Sequence, residues 1–429
     1  MKTIFRISLI VSALALPLCS CSDFLEKEPL SQGTEAIVFK TPEHFEQAAN
    51  ALYNMNGWRN LDGKGFEGSA VDQNTDINGL TSNGGGVVQE SDWHWDKPYS
   101  HIRTCNILLA KANEYDGNQE DIAQSVGTAY FFRAWQHFYL LQYFGGIPIV
   151  DHVLDVSDPV LFGVRNSRYE VIDFIASDLR LAIPLLPKEK DIPESDKGKV
   201  SKEAAKAFLA RVLLYEGTWE KYVPSINYDL DGDGKNDGAG SVKPDNYPSI
   251  TDMLTEAKQM AKEVIEEAQT GTFALWEECD TLSYYYLFNI DDKGGNISNF
   301  RNAGKSSNKE FIFYKKYDYD LARGGINLVH SVLSGYVTNM SAQFGESFLC
   351  RNGLPIRISY TGNMADAQNN PQFLGYETFV GEFRNRDYRF IGCCNSIPDR
   401  ISYAAQNPGR ERVDAILPYP TPVFPKNNP

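Results

Sequence analysis

The stretch QEDIAQSVGTAYFFRAWQHFYLLQYF, residues 119–144, decides the fold class of this chain. It has the apolar character of one long helix, and the sequence GGIP that follows ends that helix. The pair Ala134 and Phe138 matches the Ala-x3-Phe pattern of second helices in tetratricopeptide repeats. Ala204 and Phe208 show the same pattern 70 residues later, which is near two repeats of about 34 residues. Because small residues at such positions let paired helices pack closely, the sequence predicts stacked helical repeats.

Further helical segments flank that stretch on both sides. Thr41 can cap a helix whose first residue is Pro42, a position that proline favours. Ser201 is the expected cap of a later helix, and Ser249 with Asp252 forms a capping-box pattern before another. The predicted helices cover residues 41–55, 98–115, 119–144, 167–183, 201–217 and 249–269.

The helical pattern fades from about Thr272. The following segments are rich in Tyr, Asn and Gly, and only a few of them, such as the strand-like EFIFYKKY at 310–317, suggest an element. We therefore expect a mostly α fold of tetratricopeptide-like repeats (an α–α superhelix) with an irregular, loop-rich C-terminal portion. The expected divisions are a signal peptide at 1–20, a helical-repeat domain at 21–270 and the C-terminal portion at 271–429.

The N-terminus has the pattern of a secretory signal peptide. A short positive start precedes the apolar run ISLIVSALALPL, residues 7–18. This run is well short of the roughly 20 residues that span a bilayer. We found no other apolar run long enough to cross a membrane, so the sequence predicts an exported protein.

Two cysteines follow the apolar run. Leu18, Cys19, Ser20 and Cys21 resemble a bacterial lipobox with Cys21 as the lipidated residue. The register that would modify Cys19 is worse, because it places bulky Leu18 where a small residue is needed. The alternatives are a plain signal peptide with incidental cysteines, or half of a metal site for which no nearby Cys or His completes a tetrahedral set. The remaining five cysteines are too scattered for a disulfide framework.

Charge and motifs exclude several functional classes. The formal net charge of −15 argues against nucleic acids and anionic lipid headgroups as ligands. The sequence contains no G-x-S-x-G, H-E-x-x-H or G-x-x-x-x-G-K-[ST] motif, and its six histidines pair with no candidate nucleophile. A glycoside hydrolase needs only two carboxylates a few Å apart, so the sequence neither locates nor excludes one. The sequence is therefore largely negative for catalytic motifs.

The loop YDLDGDGKNDGAG favours a structural Ca²⁺ site. Asp229, Asp231, Asp233 and Asp237 take positions 1, 3, 5 and 9 of a calcium loop, with Gly234 at the turn position. The loop departs from the EF-hand pattern, because position 8 is not apolar and position 12 is glycine rather than glutamate. The alternative is a solvated acidic turn between helices.

Aromatic residues are the candidate ligand contacts. Trp93 and Trp95 follow a polar, Gly-rich loop stretch and precede the helix predicted from Pro98. Tryptophan rings on loops suit stacking against the C–H faces of sugars. The alternative is that one or both rings fill the core. The other candidates, which are weaker, are three tyrosines: Tyr317, Tyr319 and Tyr336.

Several segments together resemble the SusD/RagB family of nutrient-uptake outer-membrane lipoproteins. They are CSDFLEKEP (21–29), AYFFRAWQHFYLLQYFGGIPIV (129–150), SKEAAKAFLARVLLYEG (201–217), AKQMAKEVIE (257–266), FGESFLCRNGLPI (344–356) and RNRDYRF (384–390). The resemblance implies a lid on a SusC-like TonB-dependent transporter that captures glycans without catalysis and faces the cell exterior. Family chains usually continue further with helices that complete the bundle, so the C-terminal portion is expected to be incomplete.

The expected function is therefore a surface lipoprotein that binds an oligo- or polysaccharide and passes it to a partner transporter. Two other classes compete with this interpretation: a surface-anchored glycoside hydrolase, and a helical-repeat scaffold that binds no ligand. The fold does not select the ligand, because binding specificity resides in the site and its loops.

Overall fold

In the computed structural model, the described residues are 39–53, 92–222, 243–278, 283–284, 287, 308–314, 342–359, 368–375 and 383–393. Its longer helices are α1 Pro42–Ala51, α2 Trp93–Asn113, α3 Gln119–Phe144, α4 Arg168–Leu185, α5 Lys202–Tyr222 and α6 Ile250–Ala268. Short 3₁₀ turns lie at Pro159–Leu161, Glu189–Asp191 and Glu194–Asp196.

The helices pack in chain order. From α2 onward each helix packs against the next one, and α1 packs against both α2 and α3. This arrangement confirms the mostly α fold and the helical positions that the sequence predicts. Within the parts of the chain that the structure describes, no helix is both long and apolar enough to cross a membrane.

Local sequence signals account for several helix ends. The predicted capping box at the start of α6 is present, since Ser249 Oγ accepts from Asp252 N and the Asp252 carboxylate accepts from Ser249 N. A second capping box joins Ser167 and Glu170 at the start of α4. Gly145 ends α3 with a positive φ of 69°, a conformation that glycine adopts without steric cost.

The Ala-x3-Phe residues do pack as the repeat pattern predicts. Ala134 and Ala204 are buried, as are Phe138 and Phe208. The rings of Phe138 and Phe208 meet edge-on with centroids 5.6 Å apart. The two pattern positions thus join α3 to α5 in a single core.

The segment predicted as strand-like forms no strand over residues 308–314. Its backbone is bonded irregularly: Ala274 N donates to the Lys309 carbonyl, and Trp276 N donates to the Glu310 carboxylate. Phe313 packs edge-on against Phe131 of α3 at 5.4 Å. Over residues 310–314 the prediction was wrong, because the apolar side chains there pack against the helical core; residues 315–317 lie outside the described residues.

A buried polar network connects α2, α3 and α4. Arg133 donates to both carboxylate oxygens of Asp178, at 2.8 and 2.7 Å, and both side chains are buried. The same guanidinium donates to Asn106 Oδ1 and to the Asp151 carbonyl, each at 2.8 Å. Asn106 Nδ2 in turn donates to the carbonyls of Val150 and of residue 152. The network therefore ties the segment after α3 to the core.

A second buried ion pair joins α4 to α5. Arg168 donates to Glu216 at 2.6–3.0 Å, and both side chains are almost fully buried. The Arg168 guanidinium also lies over the Trp219 ring, 4.2 Å from its centroid. A bidentate pair that also stacks uses the planar geometry that only arginine offers.

The described residues of the C-terminal portion contain only short elements, in agreement with the predicted irregular character. They are α7 Ala342–Ser347, the strands β1 Arg357–Ser359 and β2 Gln368–Asn369, and α8 Tyr388–Cys393. The two strands pair antiparallel with an irregular register. A small core of Cys350, Ile356 and Phe373 lies beside them.

Candidate functional site

The first turn of α2 carries both candidate tryptophans. The helix begins at Trp93, five residues before the predicted start at Pro98, so neither tryptophan lies on a loop. Asp92 caps this earlier start, because its side chain accepts from His94 N at 2.9 Å. Pro98 is buried within the helix rather than at its first position. The predicted start at Pro98 was wrong, because the Asp92 side chain caps the helix at Trp93 instead.

Trp95 packs against the helical core and is only partly exposed. Its ring lies 5.1 Å from the Tyr99 ring and meets Phe144 edge-on at 5.0 Å. The Arg165 guanidinium lies over the Trp95 ring, 5.1 Å from its centroid. Tyr99 anchors this group by donating its hydroxyl to the Pro148 carbonyl at 2.8 Å. Trp95 therefore has the packing role that the sequence left open, and Arg165 covers one of its faces.

An aromatic group that the sequence analysis missed lies beside Trp95. His94 Nδ1 is 2.7 Å from the Tyr139 hydroxyl, and its ring stacks on Tyr143 at 4.6 Å. Tyr139 and Tyr143 are one turn apart on α3, with ring centroids 4.8 Å apart. The i, i+4 spacing of the two tyrosines is the one sequence signal for this group. That spacing is not distinctive, because α3 contains many other aromatic residues. We call His94, Trp95, Tyr139 and Tyr143 the aromatic cluster.

The protonation states of the cluster follow from burial. Burial lowers the pKa of His94, against an opposing effect of Asp92, so the imidazole is neutral near neutral pH. Burial also raises the pKa of Tyr139, so its hydroxyl keeps its proton. The cluster therefore offers a neutral imidazole beside the partly exposed rings of Trp95 and Tyr143, whereas Tyr139 is buried against His94. Such rings suit a ligand with alternating C–H and hydroxyl surfaces, as a sugar has.

The buried thiol and the buried imidazole of the described helical core, Cys105 and His137, are both held uncharged. Cys105 is fully buried, and burial raises the pKa of its thiol, so it remains protonated. His137 is also buried, which lowers its pKa to about 3, and its Nδ1 bonds to the Arg133 carbonyl at 2.8 Å. Among the described residues, no group of three or more His, Cys, Asp or Glu side chains could hold a metal ion.

Most of the other predicted site residues lie outside the described residues. They are Cys21, the calcium-loop residues Asp229, Asp231, Asp233 and Asp237, and the tyrosines Tyr317, Tyr319 and Tyr336. For Trp93 the structure describes the backbone only. Of the predicted ligand contacts, Trp95 is thus the one whose surroundings are described.

Comparison with known proteins finds similarity to SusD-like proteins. A SusD-like family described as "Starch-binding associating with outer membrane" matches residues 23–214, which include the aromatic cluster. A SusD-like protein of Bacteroides ovatus is 25% identical over 301 residues, covering 67% of this chain and 54% of the relative. One from Formosa agariphila is 25% identical over 248 residues, covering 54% and 47%. The chain spans about half the length of these curated relatives.

Solved structures show the same fold. A SusD-like carbohydrate-binding protein of Bacteroides fragilis has 19% identity and a TM-score of 0.50, covering 83% of this chain and 60% of that one. Another SusD-like protein of the same species has 18% identity and a TM-score of 0.53, covering 85% and 62%. These helical neighbours support the tetratricopeptide-like architecture.

Proposed function

We propose that this chain is a member of the SusD/RagB family, a cell-surface lipoprotein that captures oligosaccharide and passes it to a SusC-like TonB-dependent transporter. The observation that carries the proposal is the aromatic cluster, which lies within the family-matched residues 23–214. One of the similar solved structures is of a carbohydrate-binding protein.

The cluster can bind a sugar through its rings. Tyr143 is partly exposed, and its ring centroid lies 4.6 Å from that of His94 and 6.0 Å from that of Phe144. Rings fixed by packing bind a sugar face with little loss of conformational entropy. A single site of this kind is weak, because the apolar area it covers is small. Repeated sugars along a polymer would raise the overall affinity by avidity.

Calorimetry with a panel of oligosaccharides tests glycan capture. In the purified protein, Tyr143→Ala should weaken binding by about 1–3 kcal/mol, the usual effect of removing an aromatic anchor. Tyr222→Ala is the matched control, since Tyr222 is a largely exposed tyrosine at the end of α5 that is not part of the cluster. Trp93→Ala tests whether the first tryptophan of α2 contacts ligand. Wild-type binding in both the Tyr143 and Trp93 variants would place the site elsewhere, with Tyr317 the next residue to test.

The proposed protein is a binder and not a hydrolase. Prolonged incubation with any oligosaccharide that binds should release no shorter products or new reducing ends. Product release by the purified protein would contradict this part of the proposal and would favour a surface glycoside hydrolase. A protein that bound no glycan in the panel would contradict capture itself and would favour a scaffold.

Attachment to the outer membrane completes the proposal. The family description names association with the outer membrane. Cys21 would carry the lipid, and each methylene buried in the bilayer contributes about 0.8 kcal/mol. Several acyl chains would therefore hold the protein at the membrane without a spanning helix.

A further inference from the structure

Four large apolar side chains are exposed on the segment that joins α3 to α4. Val156 is 87% exposed, Leu161 51%, Phe162 78% and Val164 76%. We call these four residues the apolar tip. They fall within nine consecutive positions, whereas single exposed apolar residues elsewhere need no explanation. Several exposed large apolar side chains on one short segment are unusual and are typical of an interaction site.

The polar side chains of the same segment are used to order its backbone. Asp155 Oδ1 accepts from both Ser157 N and Ser157 Oγ at 3.0 Å. Asp158 Oδ1 accepts from Val160 N at 3.0 Å and so caps the 3₁₀ turn Pro159–Leu161. Surface loops usually direct polar groups to water, and here the apolar groups face water instead. The tip is therefore held in one conformation before any partner arrives, which lowers the entropic cost of binding.

A histidine closes the outer part of this segment. His152 Nδ1 lies 2.6 Å from Asp151 Oδ1, and its Nε2 lies 2.7 Å from Asp158 Oδ2. Both ring nitrogens must donate to bond two carboxylates, so this geometry belongs to the imidazolium. Arg103 Nη1 also donates to the Leu154 carbonyl at 3.3 Å. These contacts join the two ends of the segment and connect it to α2.

The charges around the tip indicate which occupant it suits. Within the described ranges, neither nearby arginine forms an ion pair with Asp155. Arg103 donates to a backbone carbonyl, and Arg165 lies over the Trp95 ring. Asp155 forms no ion pair among the described residues, and its hydrogen bonds to Ser157 keep its pKa low, so it is ionised. A second copy of this chain, itself at −15, or an anionic lipid surface would place like charges together.

We propose that the apolar tip docks into an apolar groove of a different protein whose rim carries lysine or arginine. The groove would take the Phe162 ring, and a rim cation would meet Asp155. A sugar is a poor occupant, because the tip is aliphatic apart from one ring and its polar side chains are bonded within the segment. Docking through the tip is independent of glycan binding at the aromatic cluster.

A random peptide library displayed on phage, selected on the immobilised protein, tests the proposal. Enriched peptides should combine large apolar residues with Lys or Arg. Phe162→Ser should weaken their binding roughly ten-fold or more, the effect expected for an interface anchor. Leu275→Ser is the matched control, because Leu275 is 73% exposed in another irregular segment. Asp155→Asn should weaken binding and reduce its dependence on salt.

Val156→Ser provides a second route to the same result if Phe162→Ser disturbs folding. Enriched peptides that bind both variants as well as wild type would overturn the proposal. A dimer that Phe162→Ser dissociates, or binding to phosphatidylcholine vesicles that the same change abolishes, would replace the partner with a second copy or a lipid surface. Protection of Phe162 from hydroxyl radicals in the isolated monomer would show that the chain covers its own tip. Phe162→Ser should bind glycans as wild type does, which separates this test from that of glycan capture.

Discussion

Replacing Arg133 by Met should destabilise the protein by about 3–5 kcal/mol, because the change leaves the Asp178 carboxylate buried without its cation. The Asp178 side chain is only 2% exposed and receives two hydrogen bonds from Arg133, at 2.8 and 2.7 Å. Methionine occupies much of the space of the arginine stem, so the expected loss is mainly electrostatic. With a typical total stability of about 5–15 kcal/mol, the loss is a large fraction of the whole.

The destabilisation should depend on pH. Burial raises the pKa of Asp178, and Arg133 opposes that effect in the wild type. Without Arg133 the folded-state pKa rises further above the unfolded value. At low pH Asp178 is protonated, so the variant does not bear the cost of a buried unpaired charge. That cost appears as pH rises through the folded-state pKa. The gap in stability between wild type and Arg133→Met should therefore widen from about pH 4 towards pH 7.

Urea denaturation followed by circular dichroism measures the effect as a double-mutant cycle. Asp178→Leu alone should also be costly, whereas the double variant with Arg133→Met should be less destabilised than the sum of the single changes. Arg180→Met is the matched control, since its pair with Glu256 is partly exposed and is worth about 0–1 kcal/mol. A stability of Arg133→Met within about 1 kcal/mol of wild type, or additive single changes, would refute the reasoning.

Three further predictions concern the regions around the fold. Cys21→Ala should abolish lipidation, while the same change at the other cysteine of the pair should not; mass spectrometry of the membrane fraction decides between them. EDTA should lower the melting temperature of the wild type more than that of Asp231→Ala combined with Asp233→Ala, if Ca²⁺ neutralises that loop. His152 should titrate in NMR above its ordinary pKa of 6.5, because two carboxylates bond it, and Asp158→Asn should lower that pKa. Equal EDTA sensitivity, or an unchanged histidine pKa, would contradict the second and third predictions respectively.

The helices could be predicted from the sequence because their signals are local. Pro42 at a first position and the Ser249–Asp252 box both mark helix starts that the structure confirms. The start of α2 was misplaced because two local signals competed, the cap at Asp92 and the proline at position 98. Where the signals agree, a short window of sequence fixes the helix.

The aromatic cluster could not be predicted, because its contacts join residues far apart in the chain. His94 meets Tyr139 from 45 residues away, and no spacing rule relates positions on different helices. The same holds for Arg133, which bonds Asp178 from another helix at the same separation of 45 residues. An arginine within an apolar helix indicates that some partner is needed, but only the packing of α3 on α4 identifies it.

Two sets of hydrogen bonds hold the segment between α3 and α4, one buried and one near the surface. Only the set near the surface should respond to pH. The segment is fixed at its base from within the core, where Asn106 and Arg133 bond the carbonyls of residues 150–152. Its outer part is closed by His152, whose ring is half exposed and whose bonds to two carboxylates require a proton on each nitrogen. The flanking carboxylates raise the pKa of His152, so its second bond is present at low pH and is lost as pH rises through the raised value. Alkaline conditions should therefore loosen the apolar tip while the buried network keeps the helices folded.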